Sequence, residues 1–129
     1  IETPSLAGSI NLAGGRIDDL LLKNYRETID PSSAMIRLLS PHDAEHGHYV
    51  EQGFVGVVEG TGASVQTEAV AWSAPEDATL TPSSPVTLTA RSGDLTFTKT
   101  YSVDDNFMFT VKQSVRNDGA TAARVAPYG

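Results

Sequence analysis

The chain has 129 residues, no cysteine, and 9 basic against 16 acidic side chains, for a net charge of −7. That length suits one domain and leaves no room for two ordinary ones. The lack of Cys excludes a disulfide framework and any thiolate-metal, iron–sulfur or cysteine-nucleophile chemistry, and the few scattered cations argue against nucleic acid, whose phosphates need a clustered basic footprint.

Apolar runs such as Leu20 to Leu22 fall far short of the about 18 residues of a membrane span, so the chain as given reads as soluble. It carries no initiator Met and no signal peptide, and Pro127-Tyr128-Gly129 follows directly on a strand-like segment. The expectation is a piece of something longer.

Thr and Val are frequent, and 11 Gly with 7 Pro punctuate the chain, a pattern of short strands and regular turns that predicts an all-β, antiparallel β-sandwich or barrel. In chain order, residues 5–12 place Leu6, Gly8, Ile10 and Leu12 on one face, and Gly14-Gly15 turns the chain into residues 17–25. Ile17, Leu20, Leu21 and Tyr25 also fit a helical stripe, but the preceding turn and the missing N-cap favour a strand. A loop at 30–34 precedes a short apolar strand over 35–39, and a second loop over 40–47 leads to a strand over 49–58. Gly53 and Gly56 inside it point to a bulge or a close backbone approach. Residues 59–68 are polar, residues 70–73 surround the single Trp, and residues 75–85 read as a loop with at most a brief strand near Leu80.

The second half is more regular. Residues 86–91 meet 95–103 across Ser92-Gly93, a hairpin link, and Leu95, Phe97, Tyr101 and Val103 share a face that Lys99 interrupts. Asp104-Asp105-Asn106 is a turn by composition. In residues 107–115, Phe107, Phe109, Val111, Gln113 and Val115 alternate with Met108, Thr110, Lys112 and Ser114, which is the period of a half-buried strand. Asn117-Asp118-Gly119 then turns into residues 122–126. The prediction for 86–126 is a four-stranded antiparallel meander with Phe97, Tyr101, Phe107, Phe109 and Val111 facing the core.

His42, Asp43, Glu45, His46 and His48 form the one dense cluster of metal-capable side chains. Imidazoles and carboxylates this close could hold zinc or copper, yet Pro41 and Gly47 bracket them without an evident supporting partner, and a solvated loop is the expectation. The acidic pairs Asp18-Asp19, Glu76-Asp77 and Asp104-Asp105 do not face one another as acid and base must, since neighbours on a strand point to opposite faces; turn positions and exposed charges explain them. Glycines 8 to 15 lack phosphate-loop spacing, and no Ser sits in a nucleophile elbow. Trp72 could stack on a sugar, but one Trp in an apolar segment reads first as packing. The residues therefore describe an acidic β-domain with no catalytic, cofactor or metal set.

Two stretches resemble a known family. Ile10-Asn11-Leu12-Ala13-Gly14-Gly15-Arg16-Ile17 with Leu22 and Tyr25, then Gly93 to Tyr101, Asp105 to Val111 and Val115-Arg116-Asn117, are similar to the large periplasmic domain of YidC, the bacterial membrane protein insertase. Glu2 to Leu6 and Pro127 to Gly129 look most like alphaproteobacterial members, whereas residues 42–85 match loosely. The resemblance implies a β-supersandwich similar to galactose mutarotases, of which residues 1–129 would be part of a single domain. It also implies a place on the periplasmic side of the inner membrane, tethered through segments absent from this chain. Implied partners are Sec translocon components and nascent membrane proteins, with no catalysis in this segment; the mutarotase His and carboxylate match no position here. Two readings stand beside it: a carbohydrate-binding or mutarotase-like module with Trp72 at its site, and a metal-binding domain using His42, His46 and His48.

Overall fold

The computed structural model describes residues 1–129. Nine strands in three antiparallel sheets share one core. The first sheet joins β1 (Leu6–Asn11), β2 (Arg16–Arg26) and β3 (Met35–Leu39) in that order. The second places β4 (Gly53–Val58) between β5 (Ser64–Gln66) and β9 (Ala123–Tyr128), and the third is the meander of β6 (Val86–Ser92), β7 (Leu95–Val103) and β8 (Phe109–Asn117). A single 3-10 turn, Thr67–Ala69, follows β5. The strand reading of residues 17–25 and the all-β expectation both hold.

β7 organises the core because it is central in its sheet and alternates strictly. Leu95, Phe97, Tyr101 and Val103 are buried, with Phe97 and Tyr101 fully so, and burial of an apolar side chain of this size contributes roughly 1.5–3 kcal/mol. Phe54 of β4 meets Phe97 at a ring-centroid distance of 5.6 Å, tying the second sheet to the third. Leu6, Ile17 and Leu20 bring the first sheet to the same cluster.

The predicted meander is one strand too long. β9 leaves it and pairs along all of β4, from Gly53 opposite Tyr128 to Val58 opposite Ala123. Asn117 bonds across its own turn to the Thr121 carbonyl and accepts from the Gly119 N–H, which carries the chain out of the third sheet. β4 can receive it closely because Gly56 has no side chain; a Cβ there would fall on the Arg124 carbonyl oxygen. The close approach expected of the strand glycines is met here.

Other corrections are local. The hairpin between β6 and β7 turns at Gly93-Asp94, with Ser92 still paired to Leu95. In agreement with the loop reading of 75–85, Leu80 lies in a loop, where it is buried, and Ala71 and Ser73 beside Trp72 form single bridges to Ala13 and Thr89. Asp104 Oδ1 accepts the N–H groups of Asn106, Phe107 and Met108, which wraps those residues into the turn. β8 therefore starts at Phe109, and Phe107 stands 43 % exposed instead of in the core. Phe109 and Val111 do pack against the core, though only partly covered. Asp18 is not an exposed charge; it is buried in β2 and accepts from Asn11 Nδ2 at 2.8 Å.

Candidate functional site

Two features stand out where the sheets meet: a closed polar centre and an open apolar groove. The polar centre is built on Lys99, which β7 points inward between Phe97 and Tyr101. Its Nζ donates to the carbonyls of Gly14 and Gly15 at 2.9 and 3.1 Å and lies 4.5 Å from the centre of the Trp72 indole. Tyr101 donates to the Gly15 carbonyl at 2.6 Å, and Trp72 Nε1 to the Thr67 carbonyl at 3.3 Å. Gly15 takes φ 60° with the indole against it, a conformation and a clearance that suit glycine. At the rim, Arg16 pairs with Glu51 at 3.3 Å, and Tyr128 donates to Glu51 at 2.9 Å.

Burial pushes the Lys99 ammonium down to about 8; the Glu51 carboxylate opposes this and Arg16 adds to it. Burial, with the Glu51 charge, pushes the Tyr101 phenol up to about 12. Burial and the bond to Glu51 likewise raise Tyr128. These are groups shifted by enclosure. Lys99 is fully covered, so the centre ties the Gly14-Gly15 turn to the third sheet and presents no reacting atom to a substrate.

The apolar groove, of about 300 Å³, opens between the first sheet and β8. Leu6, Ile17 and Leu20 make its buried floor. Leu38, Leu39 and Val50 form one wall and Phe107, Phe109 and Val111 the other. The walls are open, Leu38 being 50 % and Val50 40 % exposed. Gln52 also lines the groove, and its Oε1 is covered without a protein hydrogen-bond partner. Beyond the groove, Tyr25 packs on Phe107 at 6.4 Å while itself 52 % exposed. Met108 and Ile29 are more exposed still. Chemically, such a surface binds apolar side chains.

The sequence-level candidates lie elsewhere. His42 stacks edge-on against Tyr49, and the His48 N–H donates to Ser40 Oγ. No three His, Asp or Glu side chains of the chain come close enough to share an ion. Trp72 is buried with a cation over its ring, so it has no open face for a sugar. Glu76 and Asp77 are exposed loop residues.

Sequence reasoning missed the groove. A signal for it was present in β3, where Met35, Ile36, Leu38 and Leu39 make four of the five residues apolar, more than the alternation of a strand with one solvated face requires.

Comparison with known proteins matches residues 1–129 to the family described as the YidC periplasmic domain. Among curated relatives, all named membrane protein insertase YidC, that of Mesorhizobium japonicum is 50 % identical over 130 residues, that of Rhizobium johnstonii 48 % and that of Dinoroseobacter shibae 46 %. Each match covers 100 % of this chain but only 21–22 % of the relative, so the chain spans about a fifth of their length. No solved structure matches the chain.

Proposed function

The chain belongs to the YidC periplasmic domain family, and on that premise we propose that it is the accessory, contact-making part of a membrane protein insertase, exposed on the periplasmic side of the bacterial inner membrane. The observation that carries this reading is the family match over residues 1–129, joined by relatives near 48 % identity that bear the insertase name. Its clients are membrane proteins in the course of insertion, and accessory subunits of the Sec translocon are a second contact. Residues 1–129 form one part of a single β-supersandwich domain that membrane-spanning segments outside them tether. The chain catalyses nothing itself. The enclosure of Lys99 and Tyr101 supports this reading, since neither side chain is open to a substrate.

Photo-crosslinking from the full-length insertase in its membrane tests the reading. A reactive group at Ile29, in the exposed loop between β2 and β3, should capture newly made membrane proteins or Sec subunits while synthesis is running, and capture should stop when synthesis is blocked. Adducts indifferent to synthesis would overturn the proposal. So would anomerisation of a sugar that disappears with one carboxylate or histidine, since it would favour a mutarotase-like module.

A further inference from the structure

Three turns meet at the Leu95 end of β7: residues 59–63 between β4 and β5, Gly93-Asp94 between β6 and β7, and residues 118–122 between β8 and β9. They enclose a cup of about 250 Å³ that shares no residue with the apolar groove. Val65 and Leu95, 1 % and 3 % exposed, make its floor, with Val58 and Ala123 beside them. Asp94, Ser64, Ser92 and Thr121 line its mouth.

Asp94 is the one charged side chain of the cup, and the fold holds it in place. Its backbone carbonyl accepts the Asp118 N–H at 3.0 Å. Its carboxylate lies so close to Gly119 that a Cβ there would stand 2.4 Å from Oδ2. The carboxylate joins none of the ion pairs. Arg116 and Arg124, on the strands either side of the turn between β8 and β9, are committed to Asp118 and Glu59, so the charge of Asp94 is left without a partner.

Resting on the reading that the domain makes contacts with other proteins, we infer that this cup receives a Lys or Arg side chain of such a partner. The aliphatic stem lies on Val65 and Leu95, and the cationic head meets the Asp94 carboxylate at the mouth. Lys and Arg are built for such a site, because they bury an apolar stem while the charge stays at the wet end. The volume also fits, being below the roughly 300–1,000 Å³ of pockets that enclose a whole small molecule. The net charge of −7 favours the approach of a cation.

The lining tells against other ligands. No Lys, Arg or His belongs to it, so a phosphate or carboxylate meets only the like charge of Asp94. That weighs against a lipid ethanolamine head group, which brings a phosphate with its ammonium and has too short a stem to cover the floor. No aromatic side chain lines the cup either, which leaves the face of a sugar ring nothing to stack on.

The test uses the full-length insertase in lipid nanodiscs, with N-acetyl-lysine methylamide as the probe and saturation-transfer NMR as the readout, against empty nanodiscs. The side-chain methylenes should take up the strongest saturation, and the arginine analogue should displace the probe. The norleucine analogue, with the same stem and no charge, should bind more weakly. Asp94→Asn should weaken the lysine probe about fivefold, the scale of a partly exposed ion pair, and Ala63→Trp, which fills the cup, should abolish binding. No saturation above empty nanodiscs, norleucine binding as well as lysine, or an unchanged affinity in Asp94→Asn would each overturn the inference. Displacement of the probe by phosphoethanolamine or by galactose at lower concentration than by the arginine analogue would overturn it too, in favour of a lipid head group or a sugar. Synthesis-dependent capture from Ile29 reports separately on function. Capture without lysine binding sinks only this inference, and lysine binding without capture sinks the functional reading.

Discussion

Lys99 lies over the face of Trp72, its Nζ 4.5 Å from the ring centre, with both side chains buried. The indole supplies the attraction of a π face, and the Gly14 and Gly15 carbonyls supply two hydrogen bonds; together they offset the cost of enclosing an ammonium. Residues 14–15, 72 and 99 are thereby joined although they come from three separate parts of the chain.

Replacing Lys99→Met keeps an unbranched apolar stem, one atom shorter, and removes the charge and donors. The covered Gly14 carbonyl loses its Lys99 partner at about 1–3 kcal/mol, the Gly15 carbonyl keeps the bond from Tyr101, and the relief of ammonium desolvation works the other way. We expect a net loss of about 1–3 kcal/mol at pH 7, read as a lower midpoint in urea with an unchanged slope. A gain in stability would show that the ammonium is tolerated and not needed.

The same residue sets an alkaline stability profile. Lys99 titrates near 8 when folded against an ordinary 10.5, so between those values the unfolded chain holds more protons and stability rises with pH. Tyr101 is raised from 10.0 to about 12, so the folded chain holds more protons there and stability falls between those values. Denaturation across pH 7–12 should therefore show a maximum near pH 10. In Lys99→Met the rise should vanish and the fall above pH 10 remain.

Gly56→Val should weaken the β4–β9 pair, because the new Cβ meets the Arg124 carbonyl. Overpacking of this kind costs about 1–3 kcal/mol. Hydrogen exchange should quicken first in Ala123–Tyr128, before β7 is affected; uniform quickening would mean that β9 does not open on its own.

Trp72 is the single tryptophan and is 3 % exposed. Its emission should be blue-shifted, resist quenching by acrylamide and move to the red only with unfolding. Galactose or glucose at high concentration should leave it unaltered, whereas a saturable change would reopen Trp72 as a sugar contact.

By itself the sequence determined which side chains share a face and where the chain turns. The alternation in residues 95–103 specifies the inward set of β7, and the runs around Gly14-Gly15, Gly93 and Asp104 mark the turns between β1 and β2 and on either side of β7, because strand period and turn chemistry are local properties. The family, too, was legible, from motifs in the first strands and in β7 and β8. What only the tertiary structure decided is which edges meet. A period of two says nothing about the partner of a strand, so β9 looked like the fourth strand of a meander, yet it pairs with β4, about 70 residues earlier. Lys99 read as an interruption because its partners, Trp72 and the Gly14-Gly15 turn, are distant in sequence. The groove was hidden for the same reason, since Leu38 and Phe107 become neighbours only when the first and third sheets pack on one floor.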